Sequence, residues 1–408
     1  MQHQIPVHAL GNAGQKMARA VSSCVHCGFC LPACPTYRVL GEEMDSPRGR
    51  IVLMKEVLEG SLTLDEAAPH LDRCLGCLAC ETACPSGVHY RDLIEPFRET
   101  LVTARPRLAR IRLSGLLRVM ESPRLFRVAA LAGAAARPLA PRLPASLATM
   151  LGLLPEALPA PYQAPPLTPA RGPRRGRVAL MTGCVQSVLR PGITEAAIRV
   201  LSMNGVEVVV PPAQGCCGAL ACHVGDQARG RALATAHRAH FPADVDAVLA
   251  TAAGCGSAMK DHHVDGPPVL DVLEYLDRVG LVATPAFAAP TRVAYQDACH
   301  LAHAQQVTSA PRRLLQAVTG LTLVSIAESG ICCGSAGLYN LEQPALAAEL
   351  GARKAAALRG SGAALVATAN IGCLTQMAAS LAAGGDAVPV YHVVELLDMA
   401  YRPAAGPQ

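Results

Sequence analysis

Apart from Cys222, the 17 cysteines of this 408-residue chain fall into sets of regular spacing. The stretch CVHCGFCLPACP places Cys24, Cys27, Cys30 and Cys34 in the order C-x2-C-x2-C-x3-C-P, and CLGCLACETACP repeats it with Cys74, Cys77, Cys80 and Cys84. Three thiolates at this spacing can wrap three irons of one cubane, and the fourth ligand must come from elsewhere. In a two-cluster arrangement it comes from the other run. The spacing therefore predicts one [4Fe–4S] cluster on Cys24, Cys27, Cys30 and Cys84, and a second on Cys74, Cys77, Cys80 and Cys34. Pro35 and Pro85 follow the fourth cysteines and turn the chain away. A pair of zinc sites is the alternative, although zinc usually takes two ligands from each of two knuckles. His26 and His89 lie beside the cysteines and, with eight thiolate positions filled, are read as shielding or tuning groups.

The second half carries another sulfur pattern, duplicated. RVALMTGC ends at Cys184 and RVAYQDAC at Cys299; GVEVVVPPAQGCCG contains Cys216 and Cys217, and GLTLVSIAESGICCG contains Cys332 and Cys333; DAVLATAAGC ends at Cys255 and AALVATANIGC at Cys373. The interval from lone cysteine to pair is 32 residues in one copy and 33 in the other. Such self-similarity marks an internal repeat. Adjacent cysteines rarely bridge each other, because the geometry is strained. At least one of the two sets, Cys184/Cys216/Cys217/Cys255 and Cys299/Cys332/Cys333/Cys373, is expected to hold an inorganic centre, with zinc or a redox dithiol as alternatives. Cys222 has no counterpart, since Leu338 stands there, and reads as a core residue. His300 and His303 read as packing residues, and His223, His262 and His263 give no firm signal.

These cysteines need elements to position them. Pro47 can start a helix that Gly60 stops, and a second helix is expected near residues 64–71. In the repeats, short runs such as VALM, VEVVV and AVLAT alternate with helical stretches such as GITEAAIRVLSMNG and APRRLLQAVTG, which predicts a parallel sheet covered by helices. Each cysteine then follows the carboxyl end of a strand, where open α/β sheets place ligands. Gly183, Gly218, Gly254, Gly334 and Gly372 are expected to let the backbone turn there. Residues 98–142 carry ten arginines against Glu99 and Glu121, mixed with Leu, Ile and Val at helical spacing. Such a segment can dock on a partner or anionic lipid, or simply connect domains. Residues 155–177 hold seven prolines and read as an extended linker.

The fold expected is α+β and multidomain. Residues 1–100 form a helical two-cluster ferredoxin domain, 101–154 a basic amphipathic connector and 155–177 the linker. Residues 178–288 and 289–408 form two α/β repeats. Composition agrees: aromatics are 3% with no Trp, so the cores must be Ala, Val and Leu. No apolar stretch approaches a membrane span and no secretory signal is visible, so a cytoplasmic protein, peripheral on the inner membrane, is expected. Nucleic acid is not expected as a partner, because no binding motif accompanies the charge.

The strings CVHCGFC, CPTY, DSPRGRI, LDRCLGC, CPSGV, ICCGSAG and TANIGC occur in one order along the whole chain. Together they resemble the iron–sulfur subunits of glycolate oxidase, within a wider group that includes glycerol-3-phosphate dehydrogenase, lactate-oxidising and heterodisulfide reductase subunits. The first domain is similar to succinate dehydrogenase-type iron–sulfur subunits. The resemblance implies a non-catalytic electron conduit with two [4Fe–4S] clusters and further clusters, or zinc, in the repeats. It also implies FAD-bearing partners that oxidise glycolate to glyoxylate, and a quinone or other acceptor. No G-x-G-x-x-G fingerprint follows an expected strand, so the flavin is assigned to the partners. The heterodisulfide reductase repeat ends in C-x-x-C; here Ala258 and Gln376 take the last position, which argues against disulfide-reducing chemistry.

Overall fold

A computed structural model describes residues 2–262, 265–386 and 388–402. His263 lies outside the described residues.

The N-terminal part is helical. Ser46 caps the helix Pro47–Glu59 by accepting from the Gly49 amide, and Gly60 ends it. Thr63 and Glu66 close a capping box on the helix Leu64–Asp72. With the helices Gly11–Ser23 and Arg91–Ala104 these bury a core of Val21, Met54, Leu71, Leu93 and Ile94. Each such side chain removed from water contributes about 1.5–3 kcal/mol. The Arg91–Ala104 helix runs across the expected boundary at residue 100. The basic connector forms the helices Arg107–Glu121, Pro123–Ala136 and Ala145–Leu153.

Two sheets follow. The first comprises β1 (Leu167–Thr168), β2 (Gly176–Leu180), β3 (Val206–Val209), β4 (Ala247–Ala250) and β5 (Val269–Asp271), in the order β1-β3-β2-β4-β5. The second comprises β6 (Ala286–Tyr295), β7 (Thr319–Val324), β8 (Leu365–Thr368) and β9 (Val390–His392), in the order β7-β6-β8-β9. All pairings are parallel except β1 with β3. Shared order around a central first strand makes the two copies equivalent.

Three expectations need correction. The proline-rich segment is not wholly a linker, because Leu167 and Thr168 pair with Val209 and Val208 as an edge strand, the place where a prolyl neighbour is tolerated. The expected boundary between residues 288 and 289 falls inside β6, so the second copy begins earlier, with Ala286. Gly254 and Gly372 do not turn the backbone but stand in the first turns of the helices Ala253–Asp261 and Ile371–Ala383.

The repeats lock together through their helices: Arg199 on Gly192–Met203 donates to both carboxylate oxygens of Asp398 at 2.8 and 2.9 Å. His392 Nε2 bridges to the Thr251 carbonyl at 2.8 Å. The helical part is seated on both repeats. Tyr339 donates to the Arg73 carbonyl at 2.9 Å, and His223 Nε2 lies 3.0 Å from the Leu75 carbonyl. The glycine after each cysteine pair has a steric reason. Gly218 (φ +80) would drive a Cβ to 2.3 Å from the Gly230 carbonyl oxygen, and Gly334 (φ +89) to 2.8 Å from that of Ala347.

Candidate metal centres

The two N-terminal runs cross over. One cavity is lined by Cys24, Cys27, Cys30, Cys80 and Cys84. A second is lined by Cys34, Cys74, Cys77 and Cys80. The second gathers three thiols from one run and the fourth from the other, and the first gathers the three of one run with Cys84 and Cys80 of the other. The loops bend sharply to achieve this: His26 and Leu78, neither a glycine, take left-handed φ values of 56° and 62°. Strain of that kind costs on the order of 1–3 kcal/mol per residue and persists where function holds it.

The Pro47–Glu59 helix supplies a cation to each cavity. Arg48 lines the first, pairs with Glu43 at 2.7 Å and donates to the His26 carbonyl at 3.1 Å. Arg50 lines the second and is 1% exposed. It donates to the His70 carbonyl at 2.7 Å, to Thr36 Oγ1 at 3.1 Å and to Asp45 at 3.3 Å, and lies 3.8 Å from Cys34 Sγ. Burial alone would lower its pKa, but the charges of Cys74, Tyr90, Cys34 and Asp45 raise it. Cys74 in turn is lowered, burial being outweighed by Arg50 and Arg98. Burial pushes Cys30 up to about 11 and Cys77 and Cys80 further. Protons stay on such thiols until a cation displaces them. Thiols gathered from both runs, with Cys24, Cys34 and Cys74 buried and fixed cations beside them that offset thiolate charge, fit a [4Fe–4S] group. His89 is exposed, whereas His26 lines the first cavity.

In the repeats, three strand ends deliver four thiols to one place. Cys184 follows β2, the Cys216–Cys217 pair follows β3, and Cys255 sits in the helix after β4. Cys184 Sγ is 3.6 Å from Cys216 Sγ, and Cys217 bonds to both Cys216 and Cys255. Cys299, Cys332, Cys333 and Cys373 form the same chain of contacts after β6, β7 and β8. One thiol of each set is shifted towards the thiolate: hydrogen bonds from Cys184 and Cys217 lower Cys216, and those from Cys332 and Cys373 lower Cys333. Their neighbours Cys184, Cys217, Cys332 and Cys373 are raised by the same bonds and by burial. Among the described residues no group of three or more His, Cys, Asp or Glu side chains is arranged to hold a metal ion. The fit of the repeats therefore rests on thiol number, contact and burial. Removing a central thiol should show the division: Cys217→Ser or Cys333→Ser will lower iron content while the visible absorption of the N-terminal centres persists. Unchanged iron in both variants would leave zinc or plain thiol packing as the account of the repeats.

The sets are connected. Cys77, Cys299, Leu75, Cys332 and Tyr339 pack in one cluster, and after burial the charge of Cys299 is the next influence raising Cys77. This places the second N-terminal set against the second repeat. Two residues take places that their sequence positions do not announce. Cys222 is not in the core: it is half-buried, 3.3 Å from His262 Nε2, and lines a large cavity with His223. Its lack of a repeat counterpart was the available signal. Gln376, at the last position of the second repeat, is a structural group; it donates to the Ala347 carbonyl at 3.0 Å and accepts from Asn340 at 2.7 Å.

A helical domain of crossed cysteine runs, joined to a duplicated α/β unit with thiols at its strand ends, defines an iron–sulfur electron-transfer protein. Residues 20–88 match the 4Fe-4S dicluster domain, and residues 178–260 and 293–378 each match the Cysteine-rich domain. The chain is 35% identical to the glycolate oxidase iron-sulfur subunit of Escherichia coli strain K12, over 98% of this chain and 99% of that one. It is 33% identical to the probable glycolate oxidase iron-sulfur subunit of Bacillus subtilis strain 168, over 92% and 93%. A hypothetical protein from Helicobacter pylori shares the fold, with a TM-score of 0.54 at 10% identity over 97% of this chain and 73% of that one. The chain belongs to the family of glycolate oxidase iron–sulfur subunits.

Proposed function

We propose that this chain carries electrons within a glycolate-oxidising complex, from FAD on partner subunits towards a quinone or another acceptor. The observation that carries the reading is the continuity of the thiol sets from the surface to the interior. Cys27 is exposed, and beside it Val25 and Phe29 are each 65% exposed, an apolar patch suited to a flavoprotein. The crossed sets come next, and the second meets Cys299 of the repeats.

Cys24, Cys27, Cys30 and Cys84 would hold one [4Fe–4S] cluster and Cys34, Cys74, Cys77 and Cys80 the other. Cys184, Cys216, Cys217 and Cys255, with Cys299, Cys332, Cys333 and Cys373, would hold one or two further centres. Such clusters supply one-electron carriage and not the hydride or proton abstraction a 2-hydroxy acid requires. The chain's own residues hold them, exclude water and set the surrounding charge. Arg48 and Arg50 stand by the N-terminal sets, and Lys354, 3% exposed, stands by Cys332 and Cys333. Among the described residues no helix is long and apolar enough to cross a membrane, so the complex would meet a bilayer from its side, on the cytoplasmic face of the inner membrane.

Anaerobic isolation with whatever subunits co-purify, followed by metal analysis and a trial of 2-hydroxy acids, tests the reading. The expected result is a flavoprotein partner, glycolate oxidation and about twelve to sixteen irons per chain, at four per cubane. About eight irons with zinc would make the repeats a zinc scaffold, and a complex inert to glycolate would remove the substrate assignment.

A further inference from the structure

The two N-terminal cavities share a wall of Pro47, Cys80 and Tyr90. Cys80 is itself one of the thiols and Pro47 is apolar, so Tyr90 alone brings an O–H group to that wall. Tyr90 is 3% exposed and packs in the helical core with Val88, Leu93 and Ile94. Its hydroxyl donates to Cys74 Sγ at 3.7 Å. Two residues earlier, the Val88 amide donates to Cys84 Sγ at 3.4 Å. One short segment therefore reaches a sulfur of each set.

The backbone holds this segment in place. The Tyr90 amide donates to the Val88 carbonyl, and the Tyr90 carbonyl accepts from the Ile94 amide as the helix Arg91–Ala104 begins, each at 3.1 Å. With its amide and carbonyl both engaged, the residue cannot swing its phenol off Cys74 without opening the core. A phenol keeps its proton at neutral pH and can donate it, whereas a thiolate only accepts.

The two sets differ in their surroundings. Cys27 of the first is exposed, while Cys34 and Cys74 of the second are buried. An added electron makes a cluster more negative, and removal from water disfavours that charge. Burial alone would therefore place the second cluster at the lower potential, and electrons entering at the exposed set would stop there. Donors aimed at the sulfurs act in the opposite sense. The second set has Arg50 at 3.8 Å from Cys34 Sγ, the Gly76 amide at 3.4 Å from Cys74 Sγ, and Tyr90. Of these three, Tyr90 is the one that also stands between the cavities.

We infer that Tyr90, by donating to Cys74, raises the potential of the second cluster above that of the first and so draws electrons inward. The inference rests on the electron-carrier reading above and adds the residue that gives the flow its direction. The step is a one-electron exchange: the cluster on the first set is oxidised by one electron as that on the second is reduced. No bond forms or breaks, and the Tyr90 proton stays on its oxygen. Tyr90 acts through Cys74 and is a positioning residue.

The test is a reductive titration of the anaerobically isolated complex, followed by electron paramagnetic resonance. Cys27→Ser and Cys77→Ser each alter one N-terminal signal and so assign the pair. In unmodified protein the second cluster should be reduced before the first. Tyr90→Phe removes one oxygen and keeps the ring. It should disfavour reduction of the second cluster about tenfold, which is about 59 mV for one electron, the scale of a lost hydrogen bond to a charged acceptor. Iron content and the midpoint of the first cluster should not change. A first cluster reduced ahead of the second in unmodified protein would overturn the inference. So would an unmoved second midpoint, an equal shift of both clusters, or loss of iron in Tyr90→Phe. Absence of any [4Fe–4S] signal from the two runs in unmodified protein would sink the cluster assignment itself, and the inference with it.

Discussion

Replacing Cys77 with serine will stop electron delivery from the complex to any acceptor while substrate still reduces the partner's flavin. Cys77 lies at the junction between the N-terminal sets and the repeats, packed with Cys299 and Cys332. Serine keeps the size but removes the thiolate, since its hydroxyl does not ionise near neutral pH. The loss should reach at least about 100-fold, the upper end of what even outer-shell changes cost a metal site. Cys27→Ser should act alike from the exposed end. Stopped-flow spectroscopy separates the flavin band from the broad iron–sulfur absorption. A variant that assembles but loses flavin reduction as well would show that this chain takes part in the chemistry and is no mere conduit.

Arg50→Met should be the most damaging change outside the cysteines. The Asp45 carboxylate is fully buried and faces Arg50, Arg73 at 2.9 Å and His70 at 3.3 Å. Removing Arg50 leaves the buried carboxylate to the half-exposed Arg73 and takes a donor from Thr36 and the His70 carbonyl; breaking a buried pair costs up to about 3–5 kcal/mol, against about 5–15 kcal/mol for a whole domain. Arg50 also braces Thr36 beside Cys34, so the second set should loosen at both ends. Denaturant titration should show the N-terminal part unfolding early, and its iron–sulfur absorption should be lost on isolation. Arg73→Met is the control: Arg73 is 37% exposed on its side chain, so its removal should cost far less. Unchanged midpoint and absorption in Arg50→Met would refute the bracing role.

Much of this architecture is legible because its signals are local or repetitive. Proline at Pro47 and glycine at Gly60 bound one helix, and the duplicated cysteine spacing marks two equivalent sheets whose strand ends carry the thiols. The features that escaped are tertiary. Leu167–Thr168 becomes a strand only because β3 offers an open edge. Gly254 and Gly372 look like turn glycines in isolation but fall within helices, where small residues sit beside cysteines. DSPRGRI marks a helix start, yet the division of Arg48 and Arg50 between two cavities depends on how the cysteine loops wrap around that helix. The large cavity has no linear signature at all, since its wall is drawn from the connector helices and both repeats.

The central claim is that electrons from the substrate pass through this chain, and the most direct measurement is made on the anaerobically isolated complex without any added acceptor. Glycolate should bleach the iron–sulfur absorption along with the flavin, and the Cys77→Ser complex should bleach only the flavin. A complex that turns over glycolate with an acceptor while the iron–sulfur absorption stays fully oxidised would contradict the account.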